Sequence, residues 1–246
     1  MSHFYRIGAD ETASLNSDVS SPAQARNSTA RHVASITTKL ALLPSFIDEW
    51  KMIKMHEVAS QNPNMTLGEA KDELWGKRKL PNGEMVKSAE FGTQCHQALE
   101  DSLISGDIDR EWHDYVEPFF RYTEKEDISV IHTELSVFDD TLNTAGTIDL
   151  VVELPNGRVA IMDFKTRDGK GKLKTKAYAK DAAQLAACSV IYARREDLGY
   201  QPKIFSVLID AVTAELHVKE WTERAQLKGL RNFIACSNFY DAINDL

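Results

Sequence analysis

Two short segments hold the residue types that metal-assisted hydrolysis needs: Gly146-Thr147-Ile148-Asp149-Leu150 and Ile161-Met162-Asp163-Phe164-Lys165-Thr166. Both read as strands. Side chains alternate faces along a strand, so Asp163 and Lys165 share one face, roughly 6.5–7 Å apart. Pro155-Asn156-Gly157-Arg158 between the segments is a hairpin turn signal. A hairpin brings Asp149 beside Asp163, where cross-strand neighbours sit about 4.5–5.5 Å apart. Two carboxylates that close repel one another unless a cation lies between them. Hard oxygen ligands select Mg²⁺ or Mn²⁺. A lysine next to that cation can hold and orient a water, its pKa lowered by the cation and by burial. Together these parts suit hydrolysis of a phosphodiester. The acidic-x-Lys tripeptide is not specific by itself: it starts at Glu49, Glu69, Asp163 and Asp168. Only Asp163 ends an apolar strand that follows another apolar strand with its own lone Asp. The competing reading is a hairpin whose Asp149, Asp163 and Lys165 form an exposed ion pair at the sheet end.

The elements that must position these residues follow from periodicity. Ser129–Phe138, Gly146–Leu154 and Arg158–Thr166 read as three strands, and Lys203–Asp210 and Glu215–Trp221 as two more. Tyr178–Arg195 is an Ala-rich helix, and Thr222–Ile243 closes the chain as a helix. Upstream, Phe91, Cys95, Leu99 and Leu103 recur every four residues in a helix over Ser88–Ser105, with Gly92, His96 and Glu100 in an adjacent stripe. A further helix spans Asp109–Arg121, interrupted by Pro118. The first ordered stretch is Val33–Leu43. Pro44 opens a helix over Ser45–Ser60. Thr66 and Glu69 have capping-box spacing for a helix through Lys77, and Pro81-Asn82-Gly83 marks a turn. Residues 1–30, rich in Ser, Ala, Asn and Asp, read as a flexible arm. The reading is therefore one α/β (α+β) domain over 31–246 with a central mixed sheet flanked by helices: a helical part over 31–87 and a catalytic core over 88–246.

Composition bounds the class. The chain has 246 residues, 43% hydrophobic, with a formal net charge of −8. That supports a full core and argues against disorder. The chain has no apolar run long enough for a transmembrane helix and no secretory signal pattern, so a soluble, cytoplasmic, non-secreted protein without membrane partners is expected. Cys95, Cys188 and Cys236 are odd in number and far apart. This disfavours a disulfide framework, a four-cysteine zinc site and an iron–sulfur cluster. No Gly-x-Ser-x-Gly elbow supports a serine hydrolase, and no phosphate-binding Gly-x-x-x-x-Gly-Lys-Ser/Thr motif is present.

The order Gly92-Thr93-x-x-His96-x-x-Leu99-Glu100, Gly146-x-x-Asp149, Asp163-x-Lys165-Thr166 and Gln184-Leu185-Ala186-Ala187 resembles the RecB-like branch of the PD-(D/E)XK nuclease superfamily. Its stand-alone phage exonucleases and the mitochondrial genome-maintenance exonuclease are the nearest subgroup. Ser35-Ile36-Thr37-Thr38 is similar to a Ser-Val-Thr-Thr element near the start of such proteins, and the resemblance covers roughly residues 33–210. It implies a restriction-endonuclease-like core and a Mg²⁺- or Mn²⁺-dependent deoxyribonuclease. Within that resemblance His96, Asp149, Asp163 and the backbone carbonyl of Phe164 are metal ligands. Lys165 positions or activates the attacking water, and Gln184 helps hold the site and the DNA end. Four residues after Gln184, where the family often carries Tyr, this chain has Cys188; Tyr178 and Tyr192 are the nearby rings in sequence.

The expected partner is DNA, single-stranded or with free ends, and the expected activity is an exonuclease. An endonuclease on the same core and a non-catalytic nucleic-acid-binding protein are the alternatives. The net charge of −8 is unevenly spread. Residues 165–180 carry Lys165, Arg167, Lys170, Lys172, Lys174, Lys176 and Lys180 against Asp168 alone, a local +6 in a −14 background. Arg167, Lys170, Lys172, Lys174, Lys176 and Lys180 are the candidate phosphate contacts; a solvated loop is the alternative. Glu134 is an edge carboxylate or a further metal contact. Trp50 and Trp75 are core residues or base-stacking platforms. Oligomeric state is not read from the sequence.

Overall fold

The strands that carry Asp149 and Asp163 lie in the middle of a five-stranded sheet. A computed structural model of the chain describes residues 3–43, 46–62, 64–66, 69, 76–169 and 177–245. Along the described residues the order is β1 (Phe4–Ile7), β2 (Ala13–Asn16), α1 (Pro22–Asn27), β3 (His32–Ala34), α2 (Ile36–Lys39), a 3₁₀ turn (Leu40–Leu42) and α3 (Phe46–Gln61). There follow β4 (Lys77–Lys79), β5 (Met85–Lys87), α4 (Ser88–Ser105), α5 (His113–Lys125), β6 (Ser129–Asp139), β7 (Thr144–Glu153) and β8 (Val159–Arg167). The chain closes with α6 (Ala179–Arg195), β9 (Lys203–Asp210), β10 (Leu216–Glu220) and α7 (Glu223–Asn244).

The central sheet has the order β10-β9-β8-β7-β6. Only β8 and β9 run parallel, and α6 is the crossover that parallel neighbours require. Alternation along β8 sends Ala160, Met162 and Phe164 into a core with Phe91, Cys95 and Leu99 of α4 and Val116 and Phe119 of α5. Ile161 joins Val151, Ile204 and the buried face of α6 on the opposite side, with Phe233 of α7. The result is an α+β sandwich with a mixed sheet between two helical layers, as expected for 88–246. Pro118 lies inside α5 without ending it.

The tightest helix pairing sits behind the site. A Cβ at Gly229 of α7 would lie 2.6 Å from the Ala182 carbonyl of α6, so only glycine admits this approach. α6 is thereby pressed against the sheet, which fixes where Gln184 stands.

The reading of residues 1–30 as a flexible arm is corrected. β1 pairs with both β2 and β3. Phe4 is fully buried beside Tyr240 of α7, and Tyr5 packs with Val33 and Ala145. Strands of three or four residues are too short to show a period, and their pairing partners lie up to about 30 positions away. Residues 31–87 are likewise not simply helical, since they contain β3 and a β4–β5 hairpin. Thr66 and Glu69 do bond reciprocally as a capping box, but Lys77 begins a strand, and most of the helix expected between them lies outside the described residues.

Ser35-Ile36-Thr37-Thr38 has a structural role. The Ser35 hydroxyl caps α2 by accepting from the Thr38 N–H at 3.0 Å. Ser35 bridges Ala145 at the start of β7. Gly146 leaves room for Ile36, whose Cδ1 would lie 2.8 Å from a Cβ there. Lys39, fully buried, completes the junction. Its Nζ donates to the carbonyls of Leu142 and Asn143, to Ser237 Oγ and to Asp241 Oδ2 at 2.7 Å. Burial lowers its pKa against the pull of Asp241. Lys39→Ala leaves Asp241 and two carbonyls without this donor, and is expected to cost about 3–5 kcal/mol in urea unfolding. A loss below about 1 kcal/mol would show that water replaces the amine.

Candidate active site

β7 and β8 stay paired from Glu153↔Val159 to Leu150↔Met162 and then part. One further step of this register sets Asp149 opposite Asp163, at the mouth of the opening. Where strands separate, backbone donors lose their ladder partners and need others. The Phe164 N–H donates instead to Asp149 Oδ2 at 2.8 Å. The carboxylate of Asp149 is thus held by the backbone of the neighbouring strand.

Asp163 is only 3% exposed. Lys165 Nζ donates to its Oδ1 at 2.5 Å, and Gln184 Nε2 donates to the same oxygen at 3.2 Å. Its Oδ2 is buried without a hydrogen-bond partner. Burial, opposed by Lys165 and reinforced by Asp149, pushes Asp163 up to about 7. Without a cation between the carboxylates, the Lys165 pKa is raised. Burial favours its neutral form, but Asp163 and Asp149 outweigh that and hold the ammonium above the ordinary lysine value. The reason is proximity, since Asp149 Oδ2 also lies 3.9 Å from Nζ.

His96 reaches the same opening from α4. Its Nδ1 lies 3.8 Å from Asp149 Oδ2, and its ring packs edge-on against Phe164 at 5.0 Å. Burial, then Lys165, lowers its pKa to about 4, so the imidazole is neutral and retains a lone pair for a metal. The Phe164 carbonyl faces this space too, 3.5 Å from Lys165 Nζ. Gly92, one turn before His96, lets α4 close on β8: a Cβ there would lie 3.0 Å from Thr166 Oγ1.

Glu134 is the residue that sequence reasoning left open. It is bracketed by Thr133↔Leu150 and Leu135↔Ile148, which places it across from Asp149. β6 is irregular here, with a register shift between Val130 and His132 and a φ of 47° at Glu134. That left-handed conformation is costly for a residue with a Cβ. One ligand atom from each of His96, Glu134 and Asp149 can lie within 4.8 Å of the others. Glu134 is exposed at the sheet edge, yet partial desolvation of its carboxyl, then Asp149 and Glu100, raise it to about 7. A bulge and a positive φ leave no trace in a pattern of alternating residues, so the sequence signal was limited to a carboxylate in the strand before Asp149.

His96, Glu134 and Lys165 line a cleft of about 570 Å³ with Gly92, Glu100 and Arg167, whereas Asp149 and Asp163 are not among its lining residues. The neutral imidazole of His96 and the carboxylates of Glu134 and Asp149 form a donor set that fits a divalent cation. Glu134→Gln keeps the shape and removes one anionic donor. It is expected to weaken Mn²⁺ binding by about 10-fold or more in calorimetry; an unchanged affinity would leave Glu134 outside the ligand set.

The other expected residues are placed less uniformly. Arg167 lines the cleft, but its guanidinium bonds both oxygens of Asp181 at 3.1 and 3.3 Å and lies over the Tyr178 ring. Lys180 is half-buried, close enough to act on Cys236 of α7, and does not line the cleft. Lys170, Lys172, Lys174 and Lys176 lie outside the described residues, as do Trp75 and the side chain of Trp50. Cys188 is buried in the α6 core, and Tyr192 packs there with it. Tyr5 of β1 places its hydroxyl 2.8 Å from Thr147 Oγ1, two residues before Asp149. The Tyr5 pKa is raised by burial, with smaller contributions from Cys188, Glu134 and Asp149.

No family model matches the chain, and no curated protein matches it. Among solved structures, a candidate exonuclease from Eubacterium rectale is similar over 78% of this chain and 74% of its own, at 13% identity and a TM-score of 0.46. The protein SSO0001 is similar over 81% of this chain and 83% of its own, at 12% identity and a TM-score of 0.32. The chemistry therefore rests on the side chains themselves. Among the described residues no helix is long and apolar enough to cross a membrane.

Proposed function

We propose that this protein is a divalent-metal-dependent nuclease that hydrolyses DNA phosphodiesters, acting as an exonuclease on free ends or single strands. The observation that carries the reading is the convergence of Asp149, Asp163, Lys165, His96 and Glu134 where β7 and β8 part. His96, Asp149, Glu134, the Phe164 carbonyl and Asp163 Oδ2 would hold Mg²⁺ or Mn²⁺. A cation bound there supplies Lewis-acid stabilisation of the phosphoryl charge and a more acidic water. Lys165, held beside Asp163 and Asp149, positions or activates the attacking water. Gln184 fixes the rotamer of Asp163 by bonding Oδ1, which leaves Oδ2 turned away from Lys165. Phe164 N–H does the same for Asp149. Neutral His96 donates no charge to the phosphate and serves as ligand. This arrangement also supports the assignment to the RecB-like PD-(D/E)XK nucleases.

The test uses end-labelled linear DNA and closed circular DNA, each with Mn²⁺, Mg²⁺ or EDTA. Metal-dependent release of end label with circles intact is the expected result. Cleavage of closed circles would make the protein an endonuclease. No hydrolysis of either substrate, with binding retained, would make it a binding module on a nuclease-like core.

A further inference from the structure

We infer that the β4–β5 hairpin is a phosphate guide that leads one nucleic-acid strand into the cleft. The inference deepens the nuclease reading and rests on it. Segment 76–88 carries Lys77, Arg78, Lys79 and Lys87 against Glu84 alone, in a chain whose net charge is −8. Pairing sets Lys77 opposite Lys87 and Lys79 opposite Met85. Alternation then puts Lys77, Lys79, Lys87 and Met85 on one face, and all four are exposed. Arg78 and Val86 take the other face, where Val86 and the following Leu80 are buried in the core under α4. Lys77 and Lys79 on one narrow face concentrate positive potential, which an anionic backbone relieves.

The ribbon is also fixed in place. Gly83, with a φ of 94°, makes its tight turn, closed by the Leu80 N–H on the Glu84 carbonyl at 2.7 Å. Arg78 donates to Asp168 Oδ2 at 2.9 Å, at the exit of β8 and three residues after Lys165. At the same open end, β5 runs without a break into α4, whose Ser88 and Ala89 line the cleft with His96. The end of the hairpin that carries Lys77 and Lys87 thus adjoins the proposed active site. The face is two strands wide, about 5 Å, and three residues long, about 10 Å. That matches one sugar-phosphate backbone and is too narrow for the two backbones of a duplex. Met85, apolar and 55% exposed among the lysines, offers contact to a base or sugar.

The test measures binding of a labelled 20-nucleotide single strand by anisotropy with Ca²⁺ in place of Mn²⁺, from 50 to 300 mM salt. Changing Lys77, Lys79 and Lys87 together to Gln should weaken binding about 10-fold at 50 mM salt. It should also reduce the slope of log affinity against log salt by at least about 1.4, since each single-strand phosphate contact contributes roughly 0.7. The Lys77→Arg, Lys79→Arg, Lys87→Arg variant should retain both, and unchanged melting temperatures exclude misfolding. An unchanged slope in the Gln variant overturns the inference, as does a loss confined to blunt duplex DNA. Hydrolysis of a small diester, bis(p-nitrophenyl) phosphate, by the unmodified protein with Mn²⁺ tests the metal site separately. Diester cleavage with an unaffected salt slope sinks the guide and leaves the nuclease; a hairpin-dependent slope without any cleavage does the reverse.

Discussion

Asp163→Asn is expected to reduce metal-dependent DNA hydrolysis by at least about 10³-fold, or about 4 kcal/mol of transition-state stabilisation, while leaving the metal-free protein as stable as the unmodified chain or more so. The two effects have one cause. Asp163 is buried, its Oδ2 has no hydrogen-bond partner, and its carboxyl is pushed up to about 7. Ionising it in the folded protein therefore opposes folding, and asparagine removes the charge while preserving shape and the Lys165 and Gln184 geometry. Lys165→Met is expected to behave differently. It also removes activity, but it takes an ammonium from beside two carboxylates and should cost about 3 kcal/mol of stability at pH 8, read by urea unfolding in EDTA. If the group were a structural ion pair alone, both substitutions would destabilise and neither would matter for hydrolysis. A destabilised, active Asp163→Asn variant would therefore refute the assignment.

The second large effect is a reversal in how stability depends on pH. Without added metal, Asp163 and Glu134 have carboxyl pKa values raised to about 7 from ordinary values of 3.8 and 4.5. Between those values the folded protein holds protons that the unfolded chain has released. Their contribution to stability is fully present below about pH 4 and is lost as pH rises through 7. His96 works in the opposite sense. Its pKa falls to about 4 from 6.5, so the unfolded chain binds the extra proton between those values and stability rises with pH there. Two carboxyls outweigh one imidazole up to about pH 7, and all three contributions fade above it. The melting temperature in EDTA should therefore fall from pH 5.5 through 7 and level off toward 8.5. Saturating Mn²⁺ should invert the trend, because its ligands must be deprotonated and affinity grows with pH. At 100 times the dissociation constant the gain is about 2.7 kcal/mol, or roughly 5–10 °C for a domain of this size. A melting temperature indifferent to millimolar Mn²⁺ at pH 8 would show that these groups do not form a metal site.

The hairpin of β7 and β8 was legible because its information is local. Pro155-Asn156-Gly157-Arg158 makes the turn, with Gly157 at a φ of 72° and the Leu154 N–H closing on the Arg158 carbonyl. A short turn dictates register, and register sets Asp149 opposite Asp163. The stripe of α4 was legible for the same reason: Phe91, Cys95 and Leu99 must face the sheet, which turns the His96 stripe toward its end. The N-terminal sheet was not legible. Phe4 and Tyr5 are two apolar residues in a polar stretch, and their partners are Tyr240, Val33 and Ala145. No local pattern encodes pairing across such separations.

By itself the sequence determined the strand and helix order of the core and the hairpin register, and hence that Asp149, Asp163 and Lys165 come together; His96 entered only through the resemblance to a nuclease family. The order and register follow from periods of 2 and 3.6 and from turn chemistry, which act over a few residues. Only the tertiary structure decided which atoms of those residues are engaged. The strands part after Leu150 and Met162, so Asp149 accepts the Phe164 N–H and one oxygen of Asp163 is left unbonded. The irregular β6 turns Glu134 toward Asp149, and Asp168 holds the basic hairpin against the end of β8. Such choices depend on shifts of about an ångström set by packing from distant segments, and packing at that scale is not written in any local run of residues.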